Sequence, residues 1–219
     1  MARSKVGPLF KGSMSMQKGI IHGLVFIQTW GESTELLRIL KHNRHVISIF
    51  HIMGRHSYLV DVNFDNKDQL EEWIGLMKAL KLASGVPTVI AIQSNKVIDV
   101  FKQKEDFTLE NYTALKGGNH MFMMIDNPHD DEALIAALAK YPEVHTILHV
   151  QGEHSFIVEV LTDDYDRYRD MLKGLKRLES VWRIETQEVI SVPKYRNHVL
   201  DESGKLVKPQ QDIRELYVL

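Results

Sequence analysis

The same order of strand-like and helix-like hydrophobic patterns occurs twice along the chain. In the first half, a short apolar run rich in strand-forming residues comes before a segment with apolar residues at helical spacing. Two strand-like runs split at Gly54, an amphipathic helical pattern and a last strand-like run come next. The predicted elements are strand 24–29, helix 35–41, strands 46–53 and 56–64, helix 70–80 and strand 86–100. This order is βαββαβ, which is the ferredoxin-like unit.

The second half repeats the first in sequence as well as in pattern. Segment 51–62 resembles segment 149–160, and Gly54 and Gly152 stand 98 residues apart. Many other matches keep this offset, and segment 97–102 matches segment 189–194 after a short deletion. We therefore predict five parts, which are an N-terminal extension 1–19, a first domain 20–102, a linker 103–117, a second domain 118–194 and a tail 195–219.

The first strand of each repeat is apolar on both faces, which bears on assembly. Helices can cover only one face of such a sheet, and a large apolar face is costly in water. We expect an α+β fold of two tandem ferredoxin-like βαββαβ domains packed sheet to sheet, with packing between chains as the alternative. A homo-oligomer is expected on the same grounds.

Composition narrows the function classes. The net charge is −2, so the chain lacks the basic excess of a protein that coats nucleic acid. Cysteine is absent, which excludes disulfides, cysteine-ligated zinc and a cysteine nucleophile. We expect a cytoplasmic protein without a membrane span, because no apolar run has the required length.

Histidines and glycine turns are the candidate chemistry. Of 11 histidines, three pairs recur in register, namely His22/His120, His51/His149 and His56/His154. A two-residue turn at Gly54 would place His51 and His56 on one sheet face, within reach of one ligand. Topology places His22 away from them. The alternative is a set of hydrogen-bonded sheet histidines. Metal binding is a lesser alternative, because two histidines without a third nearby ligand make a weak site.

Other repeated polar residues have structural explanations. The aspartates 65 and 68, with their counterparts 163 and 166, precede amphipathic helices and indicate helix capping. Trp73 lies on an apolar helix face and is expected in the core. No nucleophile triad, phosphate loop or paired-carboxylate motif is evident, so we expect no catalytic residue and no cofactor.

The segment 53–60, Met-Gly-Arg-His-Ser-Tyr-Leu-Val, resembles the effector-binding domain of Lrp/AsnC-type regulators, as do segments 44–47 and 141–144. The resemblance implies a βαββαβ unit that dimerises sheet to sheet and has an effector pocket, usually for an amino acid, beside the glycine turn. Ser57 and Ser155 stand where the family has an acid. Only about 20 residues precede the first strand, so we expect no helix-turn-helix domain of its own.

The resemblance favours a small-molecule effector-binding, oligomerising protein of the Lrp/AsnC regulator type, which could act with a DNA-binding relative and would not contact nucleic acid directly. One alternative is an enzyme on the same scaffold, such as a tetrapyrrole decarboxylase, and another is a structural oligomer without a ligand. The predicted ligand-binding residues are His51, Gly54, Arg55, His56 and Ser57 with their counterparts His149, Gly152, Glu153, His154 and Ser155.

Overall fold

Among the described residues, each half of the chain contains four strands and two helices in the order that the sequence predicts. The computed structural model describes residues 20–31, 33–81, 85–103, 118–128, 131–201 and 204–207. The first half comprises β1 (Ile21–Thr29), α1 (Thr34–His42), β2 (Val46–Met53), β3 (Tyr58–Phe64), α2 (Lys67–Ala79) and β4 (Val89–Gln103). The second comprises β5 (Asn119–Asp126), α3 (Asp131–Ala139), β6 (Val144–Gln151), β7 (Phe156–Thr162), α4 (Tyr165–Leu175) and β8 (Arg183–Tyr195), followed by β9 (His198–Val199). The predicted extension 1–19 and most of the predicted linker lie outside the described residues.

All strands join one antiparallel sheet that closes on itself. The strand order is β2-β3-β1-β4-β6-β7-β5-β8-β9, and β2 also pairs with β8. The long strands β4 and β8 make this possible, because each pairs with its own half near its start and with the other half near its end. The two halves are thus joined edge to edge, whereas the sequence led us to expect two separate sheets packed face to face.

The closed sheet has an apolar interior and an outer layer of helices. Leu24 and Phe26 of β1 point into the interior cluster, while Val25 and Ile27 pack outward against the helices of the first half. An equivalent outer cluster lies under α3 and α4. This arrangement accounts for a first strand that is apolar at every position. Among the described residues, no helix is long and apolar enough to cross a membrane.

The first residues of the predicted tail belong to the core. Tyr195 and Leu200 are buried in the interior cluster, with Leu200 placed just after β9. Two lysines connect the halves in a reciprocal way. Lys102 Nζ donates to the carbonyl oxygen of Tyr141 at 3.0 Å, and Lys194 Nζ donates to that of Asn43 at 3.0 Å. Each lysine therefore joins the last strand of one half to the end of the first helix of the other.

Helix capping departs from the prediction at two helices. Ser33 caps α1 by accepting the backbone N–H of Leu36 at 3.2 Å. The caps of α2 and α4 are Asn66 and Asp164, so the prediction that placed capping on aspartates 65 and 163 is wrong by one residue. The side chains of both cap residues accept backbone N–H groups of the first helical turn.

Candidate functional site

The two glycine turns meet at one end of the closed sheet. Arg55 Nη1 of the first turn lies 3.1 Å from Glu153 Oε1 of the second. These residues occupy equivalent positions in the two repeats. Each turn also packs on the last strand of the opposite half, with Gln187 beside Gly54 and Asn95 beside Gly152. The two sites that the sequence suggests therefore form one composite region.

The two glycines are required for different reasons. Gly54 has a φ of +146°, which side-chain-bearing residues rarely adopt. Gly152 is not in the left-handed region, and a Cβ there would overlap Asn95 Oδ1. Gly54 therefore supplies a positive φ, whereas Gly152 is required because Asn95 approaches it closely.

Ser57 and Ser155 use their hydroxyl groups within the fold. Ser57 Oγ accepts the backbone N–H of Thr29 at 3.1 Å, and Ser155 Oγ accepts that of Asn127 at 3.2 Å. Both bonds attach a turn to the end of the first strand of its own half. The serines are thus explained by turn geometry without a ligand.

The predicted pairing of His51 with His56 on one face is wrong. His51 stacks on Tyr58 with ring centroids 5.1 Å apart, on the outer face under the helices. His56 instead turns inward and lies 5.0 Å from the interior Phe26, because the loop between β2 and β3 breaks the alternation of the strands. His149 likewise stacks on the outer-face Phe156 at 5.0 Å. A single ligand cannot contact both histidines of a repeat.

His56 and His154 are buried in different environments. His154 Nδ1 lies 2.9 Å from Asp126 Oδ1, and Asp126 Oδ2 accepts the Nε–H of Arg183 at 2.7 Å. His56 Nδ1 faces the amide nitrogen of Gln187 at 3.2 Å. Burial, and after it the charge of Arg55, lowers the pKa of His56 below its ordinary value.

This asymmetry originates in the sequence of the two repeats. The position equivalent to Asp126 is Gln28, and that equivalent to Arg183 is Ala91. Arg183 also contacts Glu185 at 3.0 Å and approaches Glu153 to 3.7 Å. The Asp126–Arg183 pair beside His154 therefore has no counterpart beside His56 among the described residues.

Three buried amides on the inner face lack full hydrogen bonding. Within the described part of the chain, Gln93 Nε2, Asn95 Oδ1 and Gln187 Oε1 have no hydrogen-bond partner. In the strand register these residues stand opposite the interior residues Phe26, Leu24 and Phe122 respectively. A buried polar atom without a partner costs about 1–3 kcal/mol, so such a group is unusual unless a bound molecule satisfies it.

We call the two turns (54–57 and 152–155), these three amides and the groups Asp126, Arg183 and Glu185 the turn site. Sequence reasoning missed its amides and its charged strand residues. One signal was available, because Asn95 and Gln187 both stand two residues before the matching segments 97–102 and 189–194. Both are amides on strands whose inward neighbours are apolar.

A second polar region lies at the other end of the first strands. His22 Nε2 is 2.8 Å from Asp61 Oδ1, and its counterpart His120 Nε2 is 3.0 Å from Glu159 Oε1. Burial lowers the pKa of His22, but the hydrogen bond and charge of Asp61 outweigh this effect and leave the pKa raised. Burial acts to raise the pKa of Glu159, but His120 outweighs it and leaves that pKa lowered.

Two further geometric observations complete the description. A shallow depression of about 540 Å³ is lined by residues 163–167 at the start of α4, at the end of β7 remote from the turn site. Among the described residues, no three His, Asp or Glu side chains are grouped to hold a metal ion.

Comparison with a family model links the second half to a known domain type. The Lrp/AsnC ligand binding domain matches residues 120–199, which extend from β5 to β9. No curated protein sequence matches the chain.

Solved structures show that the fold has precedents. The siroheme decarboxylase NirDL aligns with a TM-score of 0.56 at 9% identity, covering 81% of this chain and 73% of that one. Its complex with an iron-uroporphyrin III analogue gives 0.55 at the same identity and coverage. An anthrone oxidase-like protein gives 0.50 at 14% identity, covering 83% of this chain and 95% of that one. At these identities the likeness concerns the fold alone.

Proposed function

From the match of residues 120–199 to the Lrp/AsnC ligand binding domain, we propose that this chain binds a small-molecule effector at the turn site. The two halves are two tandem copies of the same unit, and they form one composite site where their turns meet. The observation that carries the proposal is the set of three buried amide atoms without partners at Gln93, Asn95 and Gln187. A ligand with its own donors and acceptors would remove the cost of leaving them unpaired.

The charges of the turn site indicate what such a ligand offers. Arg55 and Arg183 supply guanidinium groups, while Glu153, Glu185 and Asp126 supply carboxylates within the same network. A zwitterion such as an amino acid could exchange partners with both signs of charge. The residues proposed to contact it are Arg55, His56, Glu153 and His154 with the three amides, whereas the outer His51 and His149 serve packing.

The test combines ligand screening with a matched pair of variants. Amino acids and related zwitterions are screened by thermal shift, because a ligand that binds only the folded state raises Tm. Gln93→Leu removes one unpartnered amide of the turn site and should abolish the shift while leaving the fold stable. Asn63→Leu is the control, because Asn63 Oδ1 is also unpartnered among the described residues but lies at the far end of β3.

Two results would contradict the proposal. One is an equal loss of ligand binding in the Asn63→Leu control. The other is the absence of any stabilising compound, which would favour a structural oligomer without a ligand.

An enzyme on the same scaffold is the second candidate, and His154 is the observation that favours it. Asp126 at Nδ1 holds the ring and leaves Nε2 as the nitrogen for proton transfer. A decarboxylase acting on a tetrapyrrole carboxylate needs a proton donor for the carbon that loses carbon dioxide. Incubation with siroheme, followed by mass spectrometry, tests this function. A product lighter by carbon dioxide, lost in His154→Gln but retained in His51→Gln, would support the enzyme.

Oligomerisation is proposed through the outer side of the two seams between the halves. Ile98 and Ile190, at equivalent positions on β4 and β8, are 45% and 55% exposed, and Met53 is 57% exposed. Apolar side chains of this size on a sheet surface favour contact with another copy. An associated DNA-binding relative would supply the regulatory output of such an assembly.

A further inference from the structure

Arg44 presents a guanidinium that forms no ion pair with any carboxylate among the described residues. Its Nε donates to His45 Nε2 at 3.2 Å, while His45 Nδ1 lies 2.9 Å from the carbonyl oxygen of Asn63. The His45 ring stacks on Phe64 with centroids 4.7 Å apart. The imidazole is thus fixed on two sides and orients the exposed Arg44 through one nitrogen, which leaves the terminal N–H groups of the guanidinium facing outward.

Arg196 is brought to the same end of β2 by a constrained turn. Arg196 and Asn197 have φ angles of 46° and 69°, so two successive residues other than glycine are in the left-handed region. The turn docks on β2, because Arg196 N donates to Ser48 Oγ at 3.1 Å and Asn197 N to the carbonyl oxygen of Ile47 at 2.8 Å. The Arg196 guanidinium lies 5.5 Å from the ring centre of Tyr195.

These two arginines differ from most others in the chain. Arg38, Arg55, Arg167, Arg169 and Arg183 each form an ion pair with a carboxylate. Within the described ranges, Arg44, Arg196 and Arg177 have no such pair. Of these three, Arg44 and Arg196 stand at the same end of β2. Arg44 comes two residues before this strand, and the Arg196 backbone N–H donates to Ser48 within it, near the bond of Lys194 Nζ to the carbonyl oxygen of Asn43.

The second repeat provides an internal baseline for this surface. Around the end of α1 the first repeat carries five basic side chains, at positions 38, 41, 42, 44 and 45. The equivalent residues of the second repeat are Ala136, Ala139, Lys140, Pro142 and Glu143. The βαββαβ unit therefore does not need five basic side chains at this place, since the second repeat has only Lys140 among the equivalent residues.

We propose that Arg44 and Arg196 form a binding site for the phosphoryl group of a phosphorylated ligand. A guanidinium offers paired N–H donors that match phosphate oxygens. Neither arginine is paired with a carboxylate within the part of the chain that the structure describes. The site lies five residues along β2 from Met53, about 17 Å at the rise of an extended strand, so it is separate from the turn site.

Isothermal titration with pyrophosphate, at low salt and at physiological salt, tests the site. Saturable binding is expected, and Arg44→Gln and Arg196→Gln should each weaken it by about tenfold or more, as for loss of a charged hydrogen bond. Arg44→Lys keeps the charge but loses the paired donors, so it should also weaken binding. Arg177→Gln is the control, since it removes an exposed, unpaired arginine elsewhere, and it should bind as the wild type does.

Two further titrations distinguish the source of the phosphoryl group. A nucleoside triphosphate that binds at least as well as pyrophosphate would indicate a small phosphorylated ligand. A single-stranded oligonucleotide that binds more tightly, with a steep dependence on salt, would indicate a nucleic-acid backbone. No saturable binding of any of the three probes, or an equal loss in Arg177→Gln, would overturn the proposal.

Discussion

Asn95 Oδ1 occupies the space that a Cβ at Gly152 would need, and this contact holds the second turn against the last strand of the first half. Gly152→Ala should therefore destabilise the fold by about 1–3 kcal/mol, as expected for overpacking at a rigid contact. Chemical unfolding measures the effect, and Asn95→Ala in the same chain should restore part of the loss.

Gly75 provides the control for that substitution. It lies within α2, is exposed, and has nothing within 4 Å of an added Cβ. Gly75→Ala should stabilise the protein by about 1 kcal/mol through helix propensity. A Gly152→Ala variant as stable as the wild type would show that the turn does not depend on this contact.

The protonation of His56 should make the folded protein less stable as the pH falls. Its pKa is lowered in the folded state from an ordinary value of 6.5, so the unfolded chain binds the proton more readily. Acidification below about pH 6.5 therefore favours unfolding through this group. His56→Gln should cost less stability at pH 5 than at pH 8, as measured by urea unfolding at both pH values.

The opposite dependence is expected at His22. Its folded-state pKa is raised by Asp61, so its stabilising effect is complete below the unfolded value and is lost as the pH rises through the raised value. His22→Gln should thus cost more stability at pH 5 than at pH 9. The same pH dependence for both variants would contradict the assigned pKa directions.

The order of the elements was predictable from sequence, whereas the closure of the sheet was not. Periodicity identified β1 as apolar on both faces, because this feature depends on local spacing. The pairing of β2 with β8 joins residues far apart in the chain, and no periodic pattern specifies which distant strand supplies the partner.

Side-chain direction near the turns was the least predictable part of the candidate site. Strict alternation places His56 on the face of His51, but the loop residues depart from strand geometry and turn His56 inward. The ion pair of Arg55 with Glu153 depends on how the two halves meet, so sequence could identify the opposite charges but not their contact.

Unfolding should occur in one step for both halves. Because β4 and β8 each pair with both halves, neither half retains all its strand partners when the other unfolds. Urea unfolding followed by circular dichroism and by tryptophan fluorescence should give coincident transitions. Two separated transitions would indicate that each half holds its structure alone.

Charge on the outer side of the seams should affect assembly rather than folding. Ile98→Glu and Ile190→Glu change exposed side chains, so Tm should vary little. If these residues form an interface between copies, light scattering coupled to size-exclusion chromatography should show a smaller particle. An unchanged mass for both variants would place the interface elsewhere.

The pairing of β4 and β8 with both halves also determines when the inner apolar face is covered during synthesis on the ribosome. The inward side chains of the first half, such as Leu24, Phe26 and Phe50, pack against Phe122, Leu148 and Val192 of the second half. During synthesis the first half emerges before those partners exist, so its inner apolar face stays in water until β8 has been translated. The nascent chain is therefore expected to need chaperone protection over most of its synthesis, although the finished protein buries that face completely.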